Sequence, residues 1–205
     1  MRILGAGHSF SGKGDSLSQW RAYGGGTSGF AIGFSSAYLR SMAKELGWLV
    51  PVLYKEEEQQ ELICNLLEDV LREQRNRTVE ERQGLAPSGN LIPYLLRYAP
   101  ILKVKSFEEE SEWRIVTHPR SYNDDLFAYR VGASMLVPYF RVSLGEAKSL
   151  GIEEIVIGPT PHPEQSIHSV RGLLTKNDIE FSARIPHFGD GGVVIKCSEV
   201  PYRSW

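Results

Sequence analysis

Ile101-Leu102-Lys103-Val104-Lys105-Ser106-Phe107-Glu108-Glu109-Glu110-Ser111-Glu112-Trp113-Arg114-Ile115-Val116-Thr117 is the stretch where the chain changes character. Before it, apolar residues recur at helical spacing. After it, short β-branched and aromatic runs follow one another between turns. Leu102–Lys105 reads as a strand, and Glu112–Thr117 as a second. Along the second, alternation sends Trp113, Ile115 and Thr117 to one face and Glu112, Arg114 and Val116 to the other. With the Trp113 face taken as buried, Glu112 and Arg114 share the remaining one. Glu108, Glu109, Glu110 and Glu112 place four acids within five residues at the entry to this strand.

Upstream, Asp15 is placed to N-cap a helix running from Ser16 to Tyr23, which Gly24-Gly25-Gly26 ends. Phe30–Phe34 alternates large with small residues and reads as a strand with its aromatic face buried. Ser35 or Ser36 caps a second helix carrying Leu39, Met42, Ala43 and Leu46, and Gly47 stops it. Leu49–Tyr54 reads as an edge strand, because Pro51 removes a backbone donor. The longest helical pattern runs from Glu56 to about Arg82. It carries Leu62, Ile63, Leu66, Leu67, Val70 and Leu71 on one apolar face. A loop follows, then a short helix over Leu91–Tyr98 bent at Pro93.

Downstream, Phe127–Val131, Met135–Phe140 and Ile152–Ile157 favour strands, Pro163–Lys176 a helix, and Phe181–Ile185 and Val193–Cys197 closing strands. The order predicts an α+β fold with a mixed or antiparallel sheet core and helices mainly in the N-terminal half. With 205 residues, no repeat and no long linker, a single domain is expected over 1–205.

Hydrophobic residues make up 41% of the chain, enough for a sizeable core, and the formal net charge is −2. That balance gives no electrostatic case for nucleic acid or an anionic membrane surface. No apolar run reaches the roughly 20 residues of a membrane span. Cys64 and Cys197 form no framework or zinc pattern, and each reads as a small buried hydrophobe in a cytoplasmic protein. The five histidines make no metal-ligand spacing, so no metal is expected. The Gly24–Gly29 segment is neither a Walker loop nor a dinucleotide fingerprint.

Three polar segments stand out: Ser9–Ser11, Asp15–Tyr23 and Glu110–Arg114. Ser9 and Ser11 lie on one side of a short strand, with Phe10 on the other. Trp20 and Tyr23 share a helix face, either as core residues or as a base-stacking platform. Glu112 and Arg114 form either a surface ion pair of little energetic consequence or an acid and a cation offered to a ligand.

Ser9-Phe10-Ser11, Asp15-Ser16-Leu17-Ser18-Gln19-Trp20-Arg21-Ala22-Tyr23-Gly24 and Gly29–Phe34 resemble the signature of a bacterial family known as domain of unknown function 2971. Glu110-Ser111-Glu112-Trp113-Arg114-Ile115, Leu136–Tyr139, Ile155–Pro159 and Pro201-Tyr202-Arg203 continue that resemblance in the same order. Members of the family carry an upstream segment with an early strand, so the resemblance implies a chain shortened at its start. The family name implies no activity. A second resemblance concerns chemistry. Ser-x-Ser on an early strand and Glu-x-Glu opening a later one are similar to the arginine–serine–glutamate class of ADP-ribosyltransferases. That resemblance implies NAD as substrate, Glu112 and Glu110 as catalytic residues, and Ser9, Ser11, Trp20, Arg21, Tyr23 and Arg114 as ligand-binding residues. It also implies a role in a toxin, effector or defence system. The arginine of that class precedes the Ser-x-Ser strand, and only Arg2 does so here. Two alternatives stay open: a non-catalytic nucleotide- or small-ligand-binding module, and a protein-interaction domain that docks through the helix over 56–82.

Overall fold

Strand β5 (Glu112–Thr117) lies between β2 (Gly7–Ser11) and β4 (Gly47–Pro51) in a three-stranded sheet of order β2-β5-β4. Ile115, Val116 and Thr117, which point alternately to its two faces, are all buried, so both faces of the strand are covered there. The structure, a computed structural model, describes residues 3–4, 7–24, 29–76, 94–118, 120–121, 123–145, 151–182 and 192–202. The chain divides into two compact units, and each is built from two separate stretches of sequence.

The first unit comprises Met1–Phe10 and Leu46–Val142. Besides the β2-β5-β4 sheet it holds β1 (Ile3–Leu4) paired with β6 (Arg120–Ser121), and a hairpin of β7 (Phe127–Val131) with β8 (Leu136–Phe140). β4 runs antiparallel to β5 and is the edge strand that Pro51 predicts, although it begins at Gly47. Only glycine fits at position 47, because a Cβ there would come within 2.0 Å of the Val116 carbonyl oxygen. Helix α3 (Glu56–Asn76) opens with Glu56, Glu57 and Glu58, acids that suit the positive end of a helix. It buries Leu66 and Val70 and leaves Ile63, Leu67 and Leu71 exposed. The predicted stretch from 77 to 82, the following loop and residues 91–93 lie outside the described residues.

The second unit comprises Ser11–Glu45 and Ser143–Trp205. Its sheet has the order β10-β11-β9-β3, with β10 (Phe181–Ser182), β11 (Val193–Cys197), β9 (Ile152–Ile157) and β3 (Phe30–Phe34). β10, β11 and β9 are parallel and β3 is antiparallel to β9, so the sheet is mixed. Helix α4 (Pro163–Lys176) begins on a proline, which needs no donor there. It buries Val170 and Leu174 against Ile155, Ile157 and Val193, the core of the unit. Helices α1 (Leu17–Tyr23) and α2 (Ser36–Leu46) complete it. Ser35 caps α2, its hydroxyl accepting the Tyr38 N–H at 3.0 Å.

The α+β class and the mixed sheets stand, but several local expectations do not. Helices are spread along the chain, with α4 and two 3₁₀ segments beyond its first 98 residues. Leu102–Lys105 is not a strand. Leu102 makes one isolated parallel bridge to Leu53, between 3₁₀ turns at Ala99–Ile101 and Lys105–Glu110. The segment at Leu53 turns into α3 after Lys55 and offers no further backbone to pair with. In β3 it is Phe30 and Ile32 that are exposed. Ala31 and Gly33 take the more covered side, where the Glu154 side chain lies close over Gly33. Trp113 is 41% exposed, whereas Glu112, on the opposite side, is 8% exposed. Cys64 and Cys197 are both exposed. Among the described residues no helix is long and apolar enough to cross a membrane.

Candidate functional site

The side chains that gather around Glu112 come from four segments of the first unit: β2, the stretch at Tyr54 between β4 and α3, the irregular stretch 101–110, and β5. Arg114, two residues on along the same strand face, grips the Glu112 carboxylate with two donors. Its Nε reaches Oε1 at 2.8 Å and its Nη2 reaches Oε2 at 2.9 Å. This is the bidentate geometry in which a guanidinium binds a carboxylate most strongly. The Arg114 Nη1 donates to the Pro100 carbonyl. Lys103 Nζ donates to Glu112 Oε2 at 3.0 Å and also to Glu110 Oε2, while lying 4.8 Å from the centre of the Phe107 ring. From β2, the Ser9 hydroxyl donates to the Glu112 carboxylate. The Glu112 backbone N–H donates to the buried Tyr54 hydroxyl at 3.0 Å, and its carbonyl accepts the Val52 N–H at 2.9 Å.

Burial alone pushes the Glu112 carboxyl up. Hydrogen bonds from Arg114, Ser9 and Lys103, with the charge of Arg114, outweigh it and hold the pKa at about 2. Burial likewise pulls the Lys103 ammonium down, but its bonds to Glu110 and Glu112 raise it above the ordinary lysine value. Both groups are charged at neutral pH. Between the two acids, Ser111 adopts a left-handed conformation with φ of 46°, uncommon for a residue with a Cβ. That turn brings Glu110, at the end of a 3₁₀ segment, and Glu112, at the start of a strand, onto the same ammonium group.

The structure therefore brings together Ser9, Glu110, Glu112 and Arg114 from the residues singled out in the sequence. It adds two that sequence reasoning missed, Lys103 and Tyr54. The one hint of Lys103 was a charged residue inside the otherwise apolar run Ile101–Val104. Nothing in the sequence marks Tyr54. On the other side of β2 from Ser9, His8 is half-buried, and burial holds its imidazole below the ordinary value.

Ser11, Trp20, Arg21 and Tyr23 belong to the second unit. The exposed Ser11 accepts the Lys13 N–H at 3.1 Å. Asp15 does not cap α1, whose N-cap is Ser16 without a side-chain bond. The Asp15 carboxylate instead accepts the Trp20 indole N–H at 2.6 Å, the Ser198 hydroxyl and the Glu199 N–H at 2.7 Å. Burial pushes this carboxyl up, but the bonds from Ser198 and Trp20 lower it on balance. Trp20 is partly buried, its ring close to the backbone at Gly29 and Gly158, while Arg21 is exposed and Tyr23 is 74% exposed. The shared face of Trp20 and Tyr23 is thus packed at one residue and open at the other.

Residues 19–115, just under half of the chain, match the model of a family described as Protein of unknown function (DUF2971). The match starts inside α1 and ends inside β5, so it includes Glu110, Glu112 and Arg114 and leaves out Ser9. No curated protein and no solved structure gives a match.

Proposed function

We propose, for a chain whose residues 19–115 carry the DUF2971 match, that the Glu112 cluster cleaves the nicotinamide–ribose bond of NAD, by hydrolysis or by ADP-ribosyl transfer. The observation that carries this reading is the pairing of the Ser-x-Ser strand with the Glu-x-Glu strand, with the Ser9 hydroxyl bonded to a Glu112 carboxylate that stays ionised. In this chemistry the C–N bond breaks and its electron pair leaves with nicotinamide. Positive charge builds on the ribose carbon and ring oxygen. A carboxylate fixed before the reaction stabilises that charge more than it stabilises bound NAD, so the barrier falls. Water or an acceptor nucleophile then bonds to the ribose carbon and gives up its proton to the Glu110 carboxylate, which is assigned the role of base.

The test is nicotinamide release from NAD by the purified protein, with and without candidate acceptor proteins. Wild type releases nicotinamide. Glu112→Gln lowers the rate by on the order of a hundredfold or more, as removal of one fixed electrostatic group does elsewhere. The comparison is made well below the unfolding transition, because Glu112→Gln also weakens the bonds to Arg114 and Lys103. No release by wild type under any of these conditions sinks the reading.

One observation favours a second reading. Arg114 and Lys103 engage both Glu112 oxygens, and a carboxylate compensated by two cations presents less net charge to a ligand. On that reading the cluster is architectural, and the protein is a nucleotide- or small-ligand-binding module. Calorimetry then finds nucleotide binding without nicotinamide release.

A further inference from the structure

Lys103 lies in neither a strand nor a helix, yet its backbone is held from two directions. Its N–H donates to the Leu53 carbonyl at 3.1 Å, and its own carbonyl accepts the Gln59 side-chain amide at 2.9 Å. The same amide nitrogen donates to the Leu53 carbonyl at 2.7 Å, so Gln59 in the first turn of α3 ties the two chain segments together. From this anchored position the side chain reaches Glu110 and Glu112 together. Two carboxylates brought this close repel each other unless a cation stands between them. Arg114 does not supply that contact, because its three described hydrogen bonds go to Glu112 and Pro100.

We infer that Lys103 is a positioning residue of this site, clamping Glu110 and Glu112 into one fixed carboxylate pair, and that Gln59 aims it. Its consequence for catalysis rests on the NAD reading above, whereas the clamping of the two acids does not. Among the described residues, Arg114 on β5 and Ser9 on β2 also face the Glu112 carboxylate. The Tyr54 hydroxyl meets the Glu112 backbone.

The test is side-chain carboxyl titration by carbon NMR on the full chain from pH 7 down to about 1.5, read at Glu110 and Glu112. In wild type Glu112 stays ionised across most of this range. Lys103→Met raises its midpoint by on the order of one pH unit, the size expected for losing one adjacent opposite charge, and Lys103→Arg keeps it low. Gln59→Met moves the midpoint the same way by a smaller amount. A folded Lys103→Met that leaves both titrations unchanged overturns the inference. If Lys103→Met does not fold, Gln59→Met decides by the same measurement. Nicotinamide release is scored separately. Shifted titrations with no release by wild type remove the catalytic reading and leave the clamp standing. With release, a lower kcat at unchanged KM in Lys103→Met, restored by Lys103→Arg, assigns the clamp to catalysis.

Discussion

At residue scale, the Glu112 carboxylate carries the most consequence. Its folded pKa of about 2 lies below the ordinary 4.5. It therefore contributes stability that is present above pH 4.5 and is lost as pH falls through about 2. Nearly buried, with two cations bonded to it, Glu112 contributes on the order of 3 kcal/mol at neutral pH by this linkage. We predict that urea unfolding shows Glu112→Gln as strongly destabilising at pH 7, and that the deficit shrinks by about 2 kcal/mol at pH 3. An equal deficit at both pH values excludes a lowered Glu112 pKa. The Glu112–Arg114 pair was legible in the sequence, because period-two alternation puts both on one strand face. Lys103 and Tyr54 were not, because their contacts with Glu112 bridge 9 and 58 residues of chain.

At element scale, α3 shows what helical periodicity determines. The spacing identified an apolar stripe from Leu62 to Leu71, and only its Leu66 and Val70 line is buried. An apolar face wider than the surface it packs on leaves its flank in solvent, here Ile63, Leu67 and Leu71. We predict that Leu66→Ala costs about 2–5 kcal/mol in urea unfolding. Leu67→Ala, one position along and 42% exposed, costs within about 1 kcal/mol. Equal losses at the two positions contradict this packing. β3 illustrates the opposite failure. Alternation was read correctly, but it does not say which side faces the core, and the bulky Phe30–Ile32 side proved to be the exposed one.

At the scale of the whole molecule, neither unit is a continuous stretch of chain. The first takes residues 1–10 and 46–142, and the second takes the remainder, so the chain passes between them three times. The DUF2971 match over 19–115 draws on both. The first ten residues supply most of β2 and the Ser9 hydroxyl, one of the two strands that flank β5. Their deletion opens an edge on a central strand and removes a donor from Glu112. We predict a lower thermal midpoint and increased self-association for the chain lacking residues 1–10, measured by calorimetry and light scattering. An unchanged midpoint rules out β2 as a structural partner of β5.

By itself the sequence determined the elements whose signals are local. These are the shared strand face of Glu112 and Arg114, the strand at β9, the proline start of α4, a serine cap on α2 at Ser35 or Ser36, and the Pro51 edge. Each depends on backbone sterics or on hydrogen bonds a few residues long, and so is written in neighbouring side chains. Only the tertiary structure decided which face each strand buries, that Leu102–Lys105 pairs at one point alone, and that Asp15 bonds to Ser198 rather than capping α1. It also decided that Lys103 joins the two acids. Those outcomes depend on groups competing for the same donors and the same space through contacts that helix and strand periodicity do not encode.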